Sequence, residues 1–147
     1  MKWFFLLVVS LSLTSCSYLT NFYIFNNTEE TITITYKTKK TEINHPFVTA
    51  PKIFNYKNLK KVEKKKIINA AIQLKDSLTV QVTLQPKQAL WIGVDRNYIL
   101  KNDRRQLEEN LEYLNITQGL TTTKYSAEDI SSQFNAFTYE IVGIAVE

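Results

Sequence analysis

The chain reads as a mainly β protein: a single antiparallel β-sandwich-like domain with one short helix near its C-terminus. Three observations predict this. Polar and apolar residues alternate with period two over Thr31-Ile32-Thr33-Ile34-Thr35-Tyr36 and again over Leu78 to Leu84. That spacing sends one face of a strand into a core and leaves the other in water. The alternating stretches are rich in β-branched residues, which favour extended backbone. Finally, only three glycines and three prolines occur in 147 residues, so no low-complexity linker divides a body of one-domain size.

Taken in order, the first strands are Phe22–Asn26 and Glu30–Thr38, joined as a hairpin at Asn26-Asn27. Asparagine suits such a turn because it tolerates left-handed backbone and bonds its own chain. Ile32, Ile34 and Tyr36 point inward, and the threonines between them face water. Mid-chain, Leu78, Val80, Val82 and Leu84 form a second inward row. Gln85-Pro86-Lys87-Gln88 follows, with proline where a type I turn wants its fixed φ. The chain returns as Ala89-Leu90-Trp91-Ile92-Gly93-Val94, apolar on both faces and therefore central in a sheet. Leu111–Thr117 and Phe137–Val146 are further strands, the last carrying Tyr139, Ile141 and Val142. Ser126-Ala127-Glu128-Asp129 resembles a capping box, and Ile130 and Phe134 stand four residues apart, so 127–134 is read as the helix. Residues 67–74 fit helix and strand periodicity equally well; residues 104–114 also allow a helix, with Asp103 and Gln106 as a candidate cap pair and Leu107, Leu111 and Leu114 on one face.

The first fifteen residues have a different character. Lys2 precedes eleven mostly apolar residues, Trp3 to Leu13, and then the small pair Thr14-Ser15. That is the order of a secretory signal peptide. A membrane-spanning helix needs about 20 apolar residues, and this run stops short of that. Leu13-Thr14-Ser15-Cys16, holding the only cysteine of the chain, resembles the lipobox of bacterial lipoprotein precursors. The resemblance implies cleavage between Ser15 and Cys16, a diacylglycerol on the Cys16 thiol, and acylation of the new amino group. A thiol suits that chemistry because its ionised form is a strong nucleophile. Several acyl chains, at ~0.8 kcal/mol per buried methylene, make a firm membrane anchor. The resemblance also implies three segments: a signal peptide over 1–15, a lipidated start and short tether over 16–21, and the β domain over 22–147. In that family an aspartate after the cysteine favours the inner membrane and an acidic signal favours the cell surface. Here Ser17 follows, and residues 17–22 contain no acid. The expected location is the bacterial cell envelope, on an outer membrane facing the periplasm.

"YIFNNTEETITITY", "LTVQVTLQPKQALWIG", "TKYSAEDISSQF" and "FTYEIVGI" together resemble small exported lipoproteins of Bacteroidota. That resemblance covers most of residues 16–147, and it rests on pattern rather than on invariant motifs. It implies a sandwich of about seven strands, as turn spacing also indicates, and no mechanism.

Composition narrows the function classes. With the signal peptide removed, 17 basic residues face 14 acidic ones, an excess too mild to point to nucleic acid. A lone cysteine cannot form an internal disulfide. No Gly-rich phosphate loop, nucleophile elbow or histidine-based metal motif occurs. No cofactor is indicated. The single histidine, His45, sits beside Pro46 and reads as a loop residue, with a histidine-dependent hydrolase as the catalytic alternative. Paired carboxylates could divide acid and base roles, and Glu108, Glu109 and Glu112 cluster with Asp95 and Asp103 upstream. On a helix Glu108 and Glu112 would share a face suited to calcium; Arg105 could instead pair with Glu109 and neutralise the surface.

The sharpest charge feature is Lys57-Asn58-Leu59-Lys60-Lys61-Val62-Glu63-Lys64-Lys65-Lys66, with six lysines and one glutamate in ten residues. Mutual repulsion predicts an exposed loop or helix edge. Its functional reading is contact between Lys57, Lys60, Lys61, Lys64, Lys65 and Lys66 and an anionic surface, either lipid head groups or an acidic envelope protein. Asp76-Ser77-Leu78 is similar to the O-glycosylation site of exported Bacteroidota proteins, which makes Ser77 the acceptor. The expected function is a lipid-anchored, non-catalytic binding or accessory module. An immunity or inhibitor lipoprotein and a small hydrolase are the alternatives.

Overall fold

The computed structural model describes residues 17–41, 45–68 and 72–147. Its strands are β1 Leu19–Asn26, β2 Ile32–Thr38, β3 Lys52–Asn58, β4 Lys61–Ile68, β5 Gln73–Leu74, β6 Thr79–Leu84, β7 Gln88–Arg96, β8 Leu111–Gln118, β9 Thr121–Ser126, β10 Asn135–Ala136 and β11 Ile141–Val146. Three short helices interrupt them: α1 Leu100–Asp103, α2 Gln106–Glu109 and α3 Ala127–Gln133.

Two sheets form a sandwich. One has the order β10-β11-β1-β7-β3-β4, and the other β5-β6-β2-β8-β9. All described pairings are antiparallel except β1 with β11. Alternation accounts for the core. Phe22, Ile24, Leu90, Ile92, Val142 and Ile144 from the first sheet meet Ile32, Ile34, Tyr36, Val80, Val82 and Leu114 from the second. As expected, β7 is central, between β1 and β3. The alternate positions of the larger sheet build a second cluster, Tyr23, Phe25, Phe54, Tyr56, Ala89 and Ile141, bordered by Phe137, Leu59 and Val62. Phe25 stands edge-on to Tyr56 and Phe137, with ring centroids 5.0 and 5.5 Å away.

Helix α3 follows its sequence signal. The Ser126 hydroxyl accepts from the Asp129 amide at 3.3 Å and donates to its carboxylate at 2.7 Å, closing the first turn. Ile130 and Phe134 are buried, and the Phe134 ring stands edge-on to Phe22 and Phe47.

Several expectations are corrected. Strands β1 and β2 are not a hairpin, because they lie in different sheets, and so do β6 and β7. Both connections arch across the sandwich. Buried Asn26 holds the first arch: its amide donates to the carbonyls of Glu30 and Leu84, and its oxygen accepts from the Thr28 amide and hydroxyl. In the second, Gln88 N–H reaches the Gln85 carbonyl at 3.1 Å while Lys87 has φ +61°. A positive φ at the third position belongs to a type II turn, not type I.

Eleven strands are described rather than about seven; β5 and β10 are two-residue pieces, and β3, β4 and β9 carry weak apolar patterns. The lysine-rich run is neither loop nor helix edge but part of the β3–β4 hairpin. Residues 104–114 split into α2 and the start of β8, while 67–74 are extended on both sides of residues 69–71, which lie outside the described residues. Tyr139 belongs to a turn, since the Phe137 and Thr138 amides both reach the Ile141 carbonyl. Strand β1 begins at Leu19, ahead of the expected Phe22.

Candidate functional site

Leu13, Thr14, Ser15 and Cys16 lie outside the described residues, but the chain just after them is fixed to the body. The Tyr18 amide donates to Asn97 Oδ1 at 3.1 Å, and its hydroxyl donates to the Tyr98 carbonyl at 3.0 Å. Its ring meets Tyr139 edge-on at 6.0 Å. Buried Thr20 then donates to the Tyr139 carbonyl at 3.0 Å. The start of β1, the end of β7 and the turn before β11 therefore form one pole of the sandwich.

His45 lies near this pole. It is half-buried and lines a depression of about 540 Å³ with Leu19, Val94, Asp95 and Arg96. Among the described residues no serine, threonine or tyrosine hydroxyl lines it with the imidazole. The other acidic candidates are dispersed over separate roles. Asp103 Oδ2 accepts from the Ile99 amide at 2.8 Å, at the start of α1. Glu112 sits on β8 and pairs with Lys37 at 3.0 Å, which raises the Lys37 pKa through that hydrogen bond and charge. Glu108 and Glu109 end α2, so Glu108 and Glu112 do not share a helix face, and Arg105 makes no ion pair with Glu109. The break follows from Asn110, whose buried side chain donates to the Phe47 carbonyl and accepts from the Lys40 amide. Among the described residues no group of three or more His, Cys, Asp or Glu could hold a metal ion.

At the opposite pole the two sheets part around a cleft of about 620 Å³. Gln118, Thr121, Thr123, Tyr125, Gln133 and Asn135 line it, with Glu30 and Glu147 at its edge and Ile116 and Ile144 below. This cleft was missed in the sequence because six elements or their flanks contribute to it and none carries a local motif.

The lysines share that pole. Among the described strands β4 is an edge, with β3 as its only neighbour. Its pairing is broken by a wide bulge: Phe54 pairs with Ile67 and Tyr56 with Val62, so Asn55 alone faces Glu63, Lys64, Lys65 and Lys66. Lys57, Lys61, Lys64, Lys65 and Lys66 wall a groove of about 560 Å³ with Val62 and Glu63. Among the described residues the one ion pair on the hairpin joins Lys57 to Glu63 at 4.0 Å. Lys60 sits at the exposed turn. All six lysines are thus brought to one hairpin.

Ser77 is exposed in the turn between β5 and β6. Asp76 shapes that turn, accepting from the Leu78 and Thr79 amides at 2.8 and 2.7 Å and from the Thr79 hydroxyl at 2.8 Å. These bonds hold its carboxyl below the usual range. Among the described residues no helix is long and apolar enough to cross a membrane. Comparison with family models, characterised proteins and solved structures finds no match to this chain.

Proposed function

We propose that the chain is a lipid-anchored protein of the bacterial cell envelope, held through Cys16, whose β body serves as a non-catalytic binding or accessory module. One observation carries this reading. Among the described residues the first hydrogen bonds to the body are those of Tyr18, two residues after the lipobox cysteine, which fits processing at Cys16 with a short tether. Asp103, Glu108 and Glu112 do not join the depression that His45 shares with Asp95, which supports a binding protein over a hydrolase, since a catalytic constellation must converge on one reacting atom. Outer-membrane, periplasm-facing placement follows from Ser17 and the acid-free stretch after it.

The test is metabolic labelling with an alkyne fatty acid, followed by membrane fractionation. Wild-type chain should take up label and sediment with the outer membrane. Cys16→Ala should take up none and accumulate as uncut precursor. Turnover of a peptidoglycan, ester, phosphate or glycan substrate, abolished by a single substitution, would overturn the non-catalytic part.

A further inference from the structure

The register of the larger sheet gives the molecule a direction. Leu19 pairs with Arg96 at one end of β1, while Phe25 pairs with Ala89 near the other. Asn55 of β3 pairs with Gln88, so β3 continues past the end of β1 before turning at Asn58–Lys61. Eight residues of β1 span about 25 Å, and three further residues of β3 add about 10 Å. The lysine hairpin therefore lies at the pole away from Tyr18.

We propose that this hairpin is the docking element for an acidic segment of a protein partner, presented away from the membrane that holds Cys16. The orientation rests on the lipid-anchor reading; the charge argument does not. Among the described residues Lys60, Lys61, Lys64, Lys65 and Lys66 have no ion-pair partner, so no described carboxylate offsets their field. Lysine ammoniums on flexible stems suit a run of carboxylates better than one defined group, which would call for arginine. A tether of two residues keeps the far pole from the head groups of the anchoring leaflet, where lysine attraction fades within a Debye length of about 8 Å. Lysines and a bulge also block edge-to-edge pairing of β4. That role explains Lys64–Lys66, but not Lys57 on β3 or Lys60 at the turn, which carry the charge to the tip.

The experiment uses the full chain purified in neutral detergent and a fluorescent oligoglutamate peptide, read by anisotropy at low and physiological salt. Lys64→Glu/Lys65→Glu/Lys66→Glu should weaken binding about tenfold or more. A charge-matched control, Lys75→Glu/Lys101→Glu/Lys124→Glu, should stay within about twofold, since those exposed lysines lie off the hairpin. Thermal melts of both variants check the fold. Absence of wild-type binding, or equal loss in both triple variants, would overturn the proposal. So would displacement of the peptide by anionic-lipid micelles at lower concentration than by unlabelled peptide, which would assign the site to head groups. If fatty-acid labelling failed while hairpin-specific binding held, the anchor reading would fall and the acidic partner would remain.

Discussion

Gly93 lies so close to His45 that a side-chain carbon at position 93 would collide with the His45 carbonyl oxygen and stand 2.8 Å from its carbonyl carbon. The contact sits at a register break, where Phe22 pairs with Gly93 but Tyr23 with Trp91, leaving Ile92 as the extra residue. Gly93 has φ +148°, a conformation that side chains disfavour. It is thus the main chain of His45 that packs against β7 here, and Pro46-Phe47 then lead to Val48, whose amide donates to the Ile92 carbonyl at 2.9 Å. Gly93→Ala should destabilise the domain by about 3 kcal/mol, measured by urea titration. His45→Ala should change stability by less than about 1 kcal/mol. Equal losses would show that the imidazole does the holding.

Two core tyrosines make opposite predictions. The Tyr36 hydroxyl donates to the Val48 carbonyl at 2.5 Å, deep in the core, and burial pushes its phenol far above the usual range. Tyr36→Phe leaves a buried carbonyl unpaired and should cost about 1–3 kcal/mol. The Tyr98 hydroxyl is buried with no partner among the described residues, while its ring packs edge-on to Phe22 at 4.9 Å. Tyr98→Phe should be neutral or stabilising by up to about 1 kcal/mol. Denaturation midpoints of the two variants, compared with wild type, decide it.

Asn26 holds the first arch through four hydrogen bonds. Asn26→Ala should cost about 3 kcal/mol, because the buried Leu84 carbonyl loses its side-chain donor and the buried Thr28 amide its acceptor. Asn26→Asp should also destabilise, since a carboxylate cannot donate to Glu30 and Leu84. A variant that melted like wild type would remove the side chain from the account of the arch.

Asp76 gives a pH signature. Its carboxyl is held below the ordinary value of 3.8, chiefly by the Leu78 amide and then the Thr79 hydroxyl. A depressed folded pKa adds stability that is present above the unfolded value and lost as pH falls through the folded one. Wild type should therefore out-melt Asp76→Ala at neutral pH, and the gap should narrow below the usual carboxylate range. A gap independent of pH would contradict this.

The sequence was legible where one strand face is buried and the other wet. Strands β2 and β6 announced themselves through Ile32, Ile34, Tyr36, Val80, Val82 and Leu84, and helix α3 through Ser126 and Asp129. The arches were not legible, because Asn26-Asn27 and Pro86-Lys87 are turn signals whichever sheet the next strand joins. Strand β4 was hidden because almost all its side chains are exposed, so it has no apolar alternation to read. Strand β9 is likewise exposed along an edge. The cleft lined by Gln118, Gln133 and Asn135 was not legible either, since it exists only after β8, α3 and β10 meet.

The central claim is that Cys16 is the anchor, and mass spectrometry of the mature N-terminus tests it most directly. The account predicts a first residue of Cys16 carrying a thioether-linked diacylglycerol, with the Cys16→Ala chain still folding because the core begins at Phe22. A mature chain starting at any other residue, or an unmodified Cys16 thiol, would contradict it.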